Sequence, residues 1–331
     1  VSISGDVVNA TLEVANEALN EVVVIGYGTQ RKRDLTGAVA SVKAKDFNQG
    51  VQIAPDQLIQ GKVAGVQVIN NSGQPGGATT FRIRGNSSLR SGNQPLFVID
   101  GVIVDGSSAR PGLSVTGLGA TPDANPLNFI NPNDIASIDV LKDASSIYGT
   151  KGANGAIIIS TTRVKDQATS IDFGMYSSFN EAPPLMPVMN AYQYRIYLNE
   201  MLQSKGMSAT DIAALPYMND DTASNPDYFR YHNTTNWQRN IFRNSMNQNY
   251  YLKVTGGDNI ATYALSVGYT KNEGVIRNTD MTRYNTRFNA NFNFSKKLTG
   301  IANLAFTYNE TNLKYQGVVD KTAPVYLALT K

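Results

Sequence analysis

Apolar and polar positions alternate through the second half of the chain. Over Thr282–Phe294 one set of positions carries Tyr284, Thr286, Phe288, Ala290, Phe292 and Phe294, and the other Arg283, Asn285, Arg287, Asn289, Asn291 and Asn293. A period of two sustained over that length predicts a β-strand with one apolar and one polar face. The pattern recurs. Tyr250, Leu252 and Val254 alternate with Asn249, Tyr251, Lys253 and Thr255. Ala261, Tyr263, Leu265, Val267 and Tyr269 alternate with Thr262, Ala264, Ser266 and Gly268, and Ala302, Leu304, Phe306 and Tyr308 with Asn303, Ala305, Thr307 and Asn309. A weaker first strand sets Ile171, Phe173 and Met175 against Ser170, Asp172 and Gly174.

These strands approach the ~9–11 residues that cross a bilayer at a tilt, where soluble strands cluster at ~5–6. Their connections alternate in length. Gly256–Ile260 and Ser295–Gly300 are tight turns, Thr270–Met281 is longer, and Asn180–Asn247 is very long. Short turns on one side and long loops on the other are the pattern of an outer-membrane barrel. A soluble β-sandwich is the competing reading. Single-chain barrels hold at least ~8 strands and plugged transporters ~22. The five or six strands read here do not close, so the sequence is expected to stop inside the barrel. Within the long connection, Tyr194, Leu198, Met201 and Leu202 give helical spacing over Ala191–Ser204, and Ser208 followed by Asp211 and Ile212 reads as a second helix start. This excursion is expected to be extracellular, either as packed surface or in contact with a ligand.

The first half reads differently. Pro55–Gln60 suits a short helix, Val66–Ile69, Thr80–Arg84, Leu96–Ile99 and Val102–Val104 suit strands, Asp143–Tyr148 a helical turn and Ala156–Thr162 a strand. With its glycine-rich turns this is an α+β arrangement. Of 17 tyrosines only Tyr27 and Tyr148 precede residue 169, which sets a domain boundary at the charged segment Arg163–Asp166.

Composition narrows the function. The net charge is +3 with 17% charged residues and no Lys/Arg block, which argues against nucleic acid. The absence of cysteine excludes thiol nucleophiles and Cys-ligated zinc. His232 is the only histidine and lies in a polar loop, so no His-based triad is supported; the chain is not read as an enzyme and no cofactor is expected. The start lacks the n- and h-regions of a signal peptide, so a mature or trimmed chain is expected. Gly149–Gly155 lacks the spacing of a phosphate-binding loop, and Asp220–Asp221 reads as a solvated acidic pair.

Several motifs then fall into order: NEVVVIGYG at Asn20–Gly28, LIQGKVAGVQV at Leu58–Val68, SGQPGG at Ser72–Gly77, FRIRGNSSL at Phe81–Leu89, PLFVIDGV at Pro95–Val102, INPNDIASIDVLKDASSIYG at Ile130–Gly149 and KGANGAIIISTT at Lys151–Thr162. In order and spacing they resemble the plug domain of SusC/RagA-type TonB-dependent transporters, and the later WQRNIF (Trp237–Phe242) is similar to the start of that family's barrel. The resemblance implies an α+β plug followed by a partial transmembrane antiparallel β-barrel. Residues 1–17 would end a β-rich extension, 18–46 hold the TonB box and linker, 47–166 form the plug, and 167–331 the first barrel strands.

The resemblance also implies energy-dependent import of an oligosaccharide or peptide across the outer membrane of a Gram-negative bacterium of Bacteroidota type. Its expected partners are TonB with its ExbB/ExbD energy supply, a SusD-like surface lipoprotein as lid, and outer-membrane lipid. The alternative is a non-transporting outer-membrane receptor with a permanent plug. Glu21, Val22, Val23, Val24, Ile25 and Gly26 resemble the TonB box. Their β-branched run suits strand addition to a partner's sheet, although an ordinary internal strand has the same pattern. Arg82 and Arg84 share one strand face; the resemblance makes them a latch onto barrel acids, and two solvated arginines are the plainer reading. Asp100–Gly101 is expected to make a hairpin turn without chemistry.

Overall fold

The computed structural model describes residues 22–25, 28–31, 39–50, 52–86, 93–104, 106, 124–164, 167–295, 297–314 and 323–330. The expected extension over residues 1–17 lies outside them, as do Glu21 and Gly26.

Strands β1 (Val22–Ile25) and β2 (Gly28–Arg31) form an antiparallel two-stranded sheet of their own. The first-half core then assembles β3 (Val39–Lys43), α1 (Pro55–Ile59), β4 (Val66–Asn70), β5 (Thr79–Ile83), β6 (Leu96–Ile99), β7 (Val102–Val104), β8 (Ile135–Leu141), α2 (Ser145–Tyr148) and β9 (Ala156–Thr161). Its main sheet runs β3-β8-β9-β6-β7, with β6 and β9 parallel and the other pairs antiparallel. Strand β9 reads AIIIST because it is covered on both faces. On one side Ile157 and Ile159 pack with Phe47, Leu58, Phe81 and Phe97; on the other Ile158 packs with Val98, Leu141 and Ala144. Phe81 and Phe97 meet edge to face with centroids 5.4 Å apart. Strands β3 and β8 were not among the expected elements. Serine and aspartate interrupt their apolar runs, and Asp139 of β8 is buried.

The second half is one antiparallel sheet in sequence order: β10 (Gln167–Asn180), β11 (Ser245–Gly257), β12 (Ala261–Glu273), β13 (Asp280–Ser295) and β14 (Leu298–Asn312). Each expected strand is present and longer than its apolar run. The expected connection Thr270–Met281 shrinks to residues 274–279, because the polar ends of β12 and β13 continue to pair down to Glu273↔Asp280. The excursion between β10 and β11 carries α3 (Ala191–Ser204), α4 (Ala209–Ala213), α5 (Tyr228–His232) and α6 (Trp237–Ile241), and α7 (Pro324–Thr330) follows β14. The start of α3 is fixed by a capping box, in which Asn190 accepts from the Gln193 amide while Gln193 accepts from the Asn190 amide.

The sheet wears its polarity inside out. Phe173, Val267, Leu304 and Phe306 stand exposed, Phe306 at 70%, while Thr270, Arg283, Asn285 and Asn289 are buried against the first half. A soluble sandwich would bury the apolar face. This arrangement belongs to a wall whose outer face meets lipid. Tyr250, Tyr269, Tyr284 and Tyr308 form one row across β11–β14, with ring centroids 6.2, 5.0 and 6.3 Å apart. Ten residues further along β13, Phe294 stacks on Phe292. Ten residues span about 34 Å of strand, or about 24 Å of height at a tilt near 45°. The tyrosine row and this phenylalanine pair therefore stand about as far apart as the ~25 Å apolar band of outer-membrane barrels is tall.

Candidate functional site

The plug, formed by the first-half sheet, sits on the polar face of the wall, and two arginines of β13 hold it there. Arg283 is fully buried and forms no direct ion pair among the described residues, although it feels the charge of Asp134. Its guanidinium donates to the carbonyls of Ile53, Asn128 and Ile130 at 3.1, 3.0 and 3.0 Å. One side chain thus gathers the approach to α1 and the turn before β8. Nearby Asn131 donates to Asn285 at 3.2 Å and Thr307 to the Phe129 carbonyl at 2.9 Å. Four residues further along β13, on the same face, Arg287 lies 3.3 Å from Asp100 and 3.9 Å from Asp134.

Asp100 closes the β6–β7 hairpin with φ 48°, as its Asp-Gly sequence predicts. It also accepts from the Thr161 amide and hydroxyl at 2.9 and 2.7 Å, so the turn residue ties β6, β9 and the wall together. Asn289 and Lys253 complete the cluster with bonds to Thr161 and Thr162. Burial pushes the Asp134 carboxyl above the usual carboxylate range, against a hydrogen bond from Ser266 and the charges of Arg287, Lys253 and Arg283.

A third attachment lies at the end of the wall nearer the long excursion. Gln74 of the SGQPGG loop donates to the Lys314 carbonyl and accepts from the Lys314 amide at 2.6 Å. Gly76 (φ 72°) has no room for a side chain: an added Cβ would lie 2.9 Å from Thr311 Cγ2 and 3.1 Å from Met281 Sδ. Beside this loop is a polar cleft of about 380 Å³ lined by Asp56, Asn70, Asn125, Asn128 and Glu273 among others. Asp56 accepts from Thr79 at 2.7 Å and Asn125 at 2.9 Å, yet burial still raises its carboxyl above the ordinary value. Asn128 Oδ1 is buried without a hydrogen-bond partner among the described residues.

The residues singled out in the sequence lie elsewhere. Val22–Ile25 is β1, paired Val22↔Arg31 through Ile25↔Gly28. Arg82 donates to the carbonyl of Phe81 at 2.8 Å, and Arg84 is exposed with φ 57° just past β5. Among the described residues neither forms an ion pair. His232 and Asp220 meet in the excursion rather than standing alone, with Nε2 2.8 Å from the Asp220 carboxylate, which also accepts from Arg195. Sequence reasoning placed Arg283 and Arg287 on a polar strand face but gave them no role. The signal was there: two cations at i and i+4 share one strand face, and a face that must meet a plug buries them. Among the described residues no group of three or more His, Cys, Asp or Glu could hold a metal, and no helix is long and apolar enough to cross a membrane.

Residues 31–156 match the TonB-dependent Receptor Plug Domain family model. The chain is 34% identical to TonB-dependent receptor SusC of Bacteroides thetaiotaomicron, over 96% of this chain and 30% of that protein. It is 36% identical to TonB-dependent receptor P26 of Formosa agariphila, again over 96% of this chain and 30% of that protein. It therefore spans about 30% of the length of these relatives. Among solved structures it superposes on the RagAB peptide importer in its open-open state with a TM-score of 0.67 and 25% identity, covering 87% of this chain and 32% of that one. The ferric citrate transporter FecA shares the fold at a TM-score of 0.53 and 15% identity, over 88% of this chain and 34% of that one. The plug model, the SusC and P26 relatives and the RagAB neighbour converge: the chain belongs to the SusC/RagA-type TonB-dependent receptors, and comprises their plug and a part of their barrel wall.

Proposed function

We propose that the whole protein imports an oligosaccharide or peptide across the outer membrane, with TonB supplying the pull. The observation that carries this reading is the plug held on the polar face of a wall whose other face is apolar, with a separate β-branched strand at its N-terminal side. A plug so placed obstructs the barrel lumen, so passage requires that it move or deform. TonB would engage Glu21–Gly26. Within it Val22–Ile25 belongs to a sheet of only two strands, a form of marginal stability on its own, and adding a partner strand would exploit its main-chain groups. A SusD-like lipoprotein would cover the outer face, where the excursion and the polar cleft beside Asp56 would meet the ligand.

In this reading Arg82 and Arg84 latch onto acids of further barrel strands, as the resemblance implies, while Arg283 and Arg287 hold the plug from the opposite direction. No catalysis is assigned.

The test is deletion of Val22–Ile25 in the full-length transporter, followed by uptake in energised cells and ligand binding on isolated membranes. Import predicts that uptake is abolished and binding retained. Normal uptake would overturn the reading. A receptor with a permanent plug, which the fully buried Arg283 clasp favours, predicts binding without accumulation in the wild type.

A further inference from the structure

The excursion between β10 and β11, with Ala328 and Leu329 of α7, lines an open cavity of about 970 Å³, apart from the plug and its cleft. That volume is at the upper end of small-ligand sites. Its walls combine aliphatic side chains such as Met189 and Leu198 with ring faces and short polar groups: Tyr194 from α3, Phe229 and Tyr231 from α5, Trp237 from α6, and Asn233 and Thr234 between them. Phe229 and Trp237 remain 69% and 48% exposed. The scaffold beneath them is pinned by hydrogen bonds that leave the rings free. Gln238 is buried and exchanges two bonds of 2.9 Å with the backbone of Met186. Arg195 donates to the carbonyls of Tyr217 and Met218, and His232 bridges the Tyr228 carbonyl and Asp220.

The charge in this cavity is one-sided. Among the described residues no carboxylate lines it. Arg195 is already matched by Asp220. Arg230 is exposed, forms no ion pair among the described residues, and lies 5.6 Å from the centre of the Tyr231 ring. A guanidinium held over a ring keeps its outward N–H groups for an oxyanion that can accept two of them. Exposed rings beside short polar side chains suit a ligand with both apolar faces and many hydroxyls, and Asn233 and Thr234 supply donors and acceptors for those hydroxyls. A peptide bound in extended form would favour an open strand edge, and helices and loops wall this cavity.

We infer that the cavity binds an anionic oligosaccharide, its sugar rings stacked on Trp237 and Phe229 and its carboxylate or sulfate held by Arg230. The inference rests on the import reading for its biological role, but binding is measured without transport, so the two can fail separately.

The experiment is calorimetric titration of the purified full-length transporter, with whatever partner co-purifies, using three probes of equal length: an oligogalacturonide, a sulfated galacto-oligosaccharide and a neutral galacto-oligosaccharide. Arg230→Gln should weaken binding of at least one acidic probe tenfold or more while leaving the neutral probe within twofold; the acidic probe that binds identifies the acid. Trp237→Ala should weaken every saccharide that binds, with the melting temperature of the complex unchanged. The inference is overturned if no acidic probe binds more tightly than the neutral one, if Arg230→Gln leaves acidic binding intact, or if an acidic peptide such as tetraglutamate competes as well as the acidic saccharides.

Discussion

In the plug, Ile157, Ile158 and Ile159 are buried on both faces of the sheet. In the wall, Leu304 and Phe306 stand exposed while Arg283 is fully buried. Both sheets carry apolar side chains on at least one face, yet the solvent each outer surface meets sets which face is hidden. The plug folds as soluble domains do, by removing apolar area from water. The wall gains nothing by hiding its outer apolar face from lipid, so the face turned inward is polar and must find partners there. The plug supplies them with backbone carbonyls, Asp100 and Asp134.

The largest effect is expected at the seam between plug and wall. Arg287→Ala leaves Asp100 and Asp134 buried without their guanidinium, at a cost of about 3–5 kcal/mol. The expected outcome is loss of hydrogen-exchange protection at the Asp100 turn and along β9 in the full-length protein. Next comes the plug interior. Ile158→Ala should cost about 2–5 kcal/mol by transfer and cavity terms, whereas Ile301→Ala, at an exposed position on the inward face of β14, should scarcely change urea unfolding from vesicles.

On the wall, Val267→Arg places a charge toward lipid near mid-strand and should cost about 2–4 kcal/mol. In the plug a comparable exposed substitution, Gln67→Arg on β4, should be nearly neutral. Both are read from folding titrations into vesicles.

The remaining effects concern pH. Asp220 is held below the usual carboxylate range first by the hydrogen bond from His232 and then by that from Arg195. Its contribution is present above the ordinary carboxylate pKa and is lost as pH falls through the lowered value. Hydrogen exchange across residues 217–232 should therefore quicken only at strongly acidic pH, and Asp220→Asn should quicken it at neutral pH. Asp56 runs the other way. Burial raises its pKa, so its charge opposes folding once pH rises past the ordinary value of 3.8, increasingly up to the raised value. Asp56→Asn should leave plug stability unchanged or slightly higher at neutral pH, and should flatten its pH dependence.

Much of this was legible in the sequence. Alternation located β10–β14, because a period of two survives in any sheet with unlike faces. It did not say which face is hidden, since lipid-facing and core-facing strands share one pattern; length, connection pattern and family resemblance supplied that. Strands β6 and β7 matched their expected bounds, flanking the Asp-Gly turn. Strands β3 and β8 escaped notice because Ser41, Ser137 and Asp139 break their apolar runs. The latch was sought at Arg82 and Arg84, on the plug. The contact described here comes from the wall, and three of the groups that receive Arg283 are backbone carbonyls, which have no side-chain signature. Asp100 was read as a turn residue, which it is; its bonds to Thr161 and Arg287 depend on partners 61 and 187 positions away.

A wall with lipid outside and plug inside is tested most directly by spin labelling, on a background in which any cysteine outside these 331 cysteine-free residues is replaced. Single cysteines at Asn285, Thr286, Phe288, Asn289, Asn291 and Phe292 of the full-length protein would carry nitroxide labels in outer-membrane vesicles, and collision with oxygen dissolved in the lipid would be measured. The account predicts high oxygen accessibility at 286, 288 and 292 and low accessibility at 285, 289 and 291. A reversed alternation, or none, would contradict it and return the second half of the chain to a soluble β-sheet.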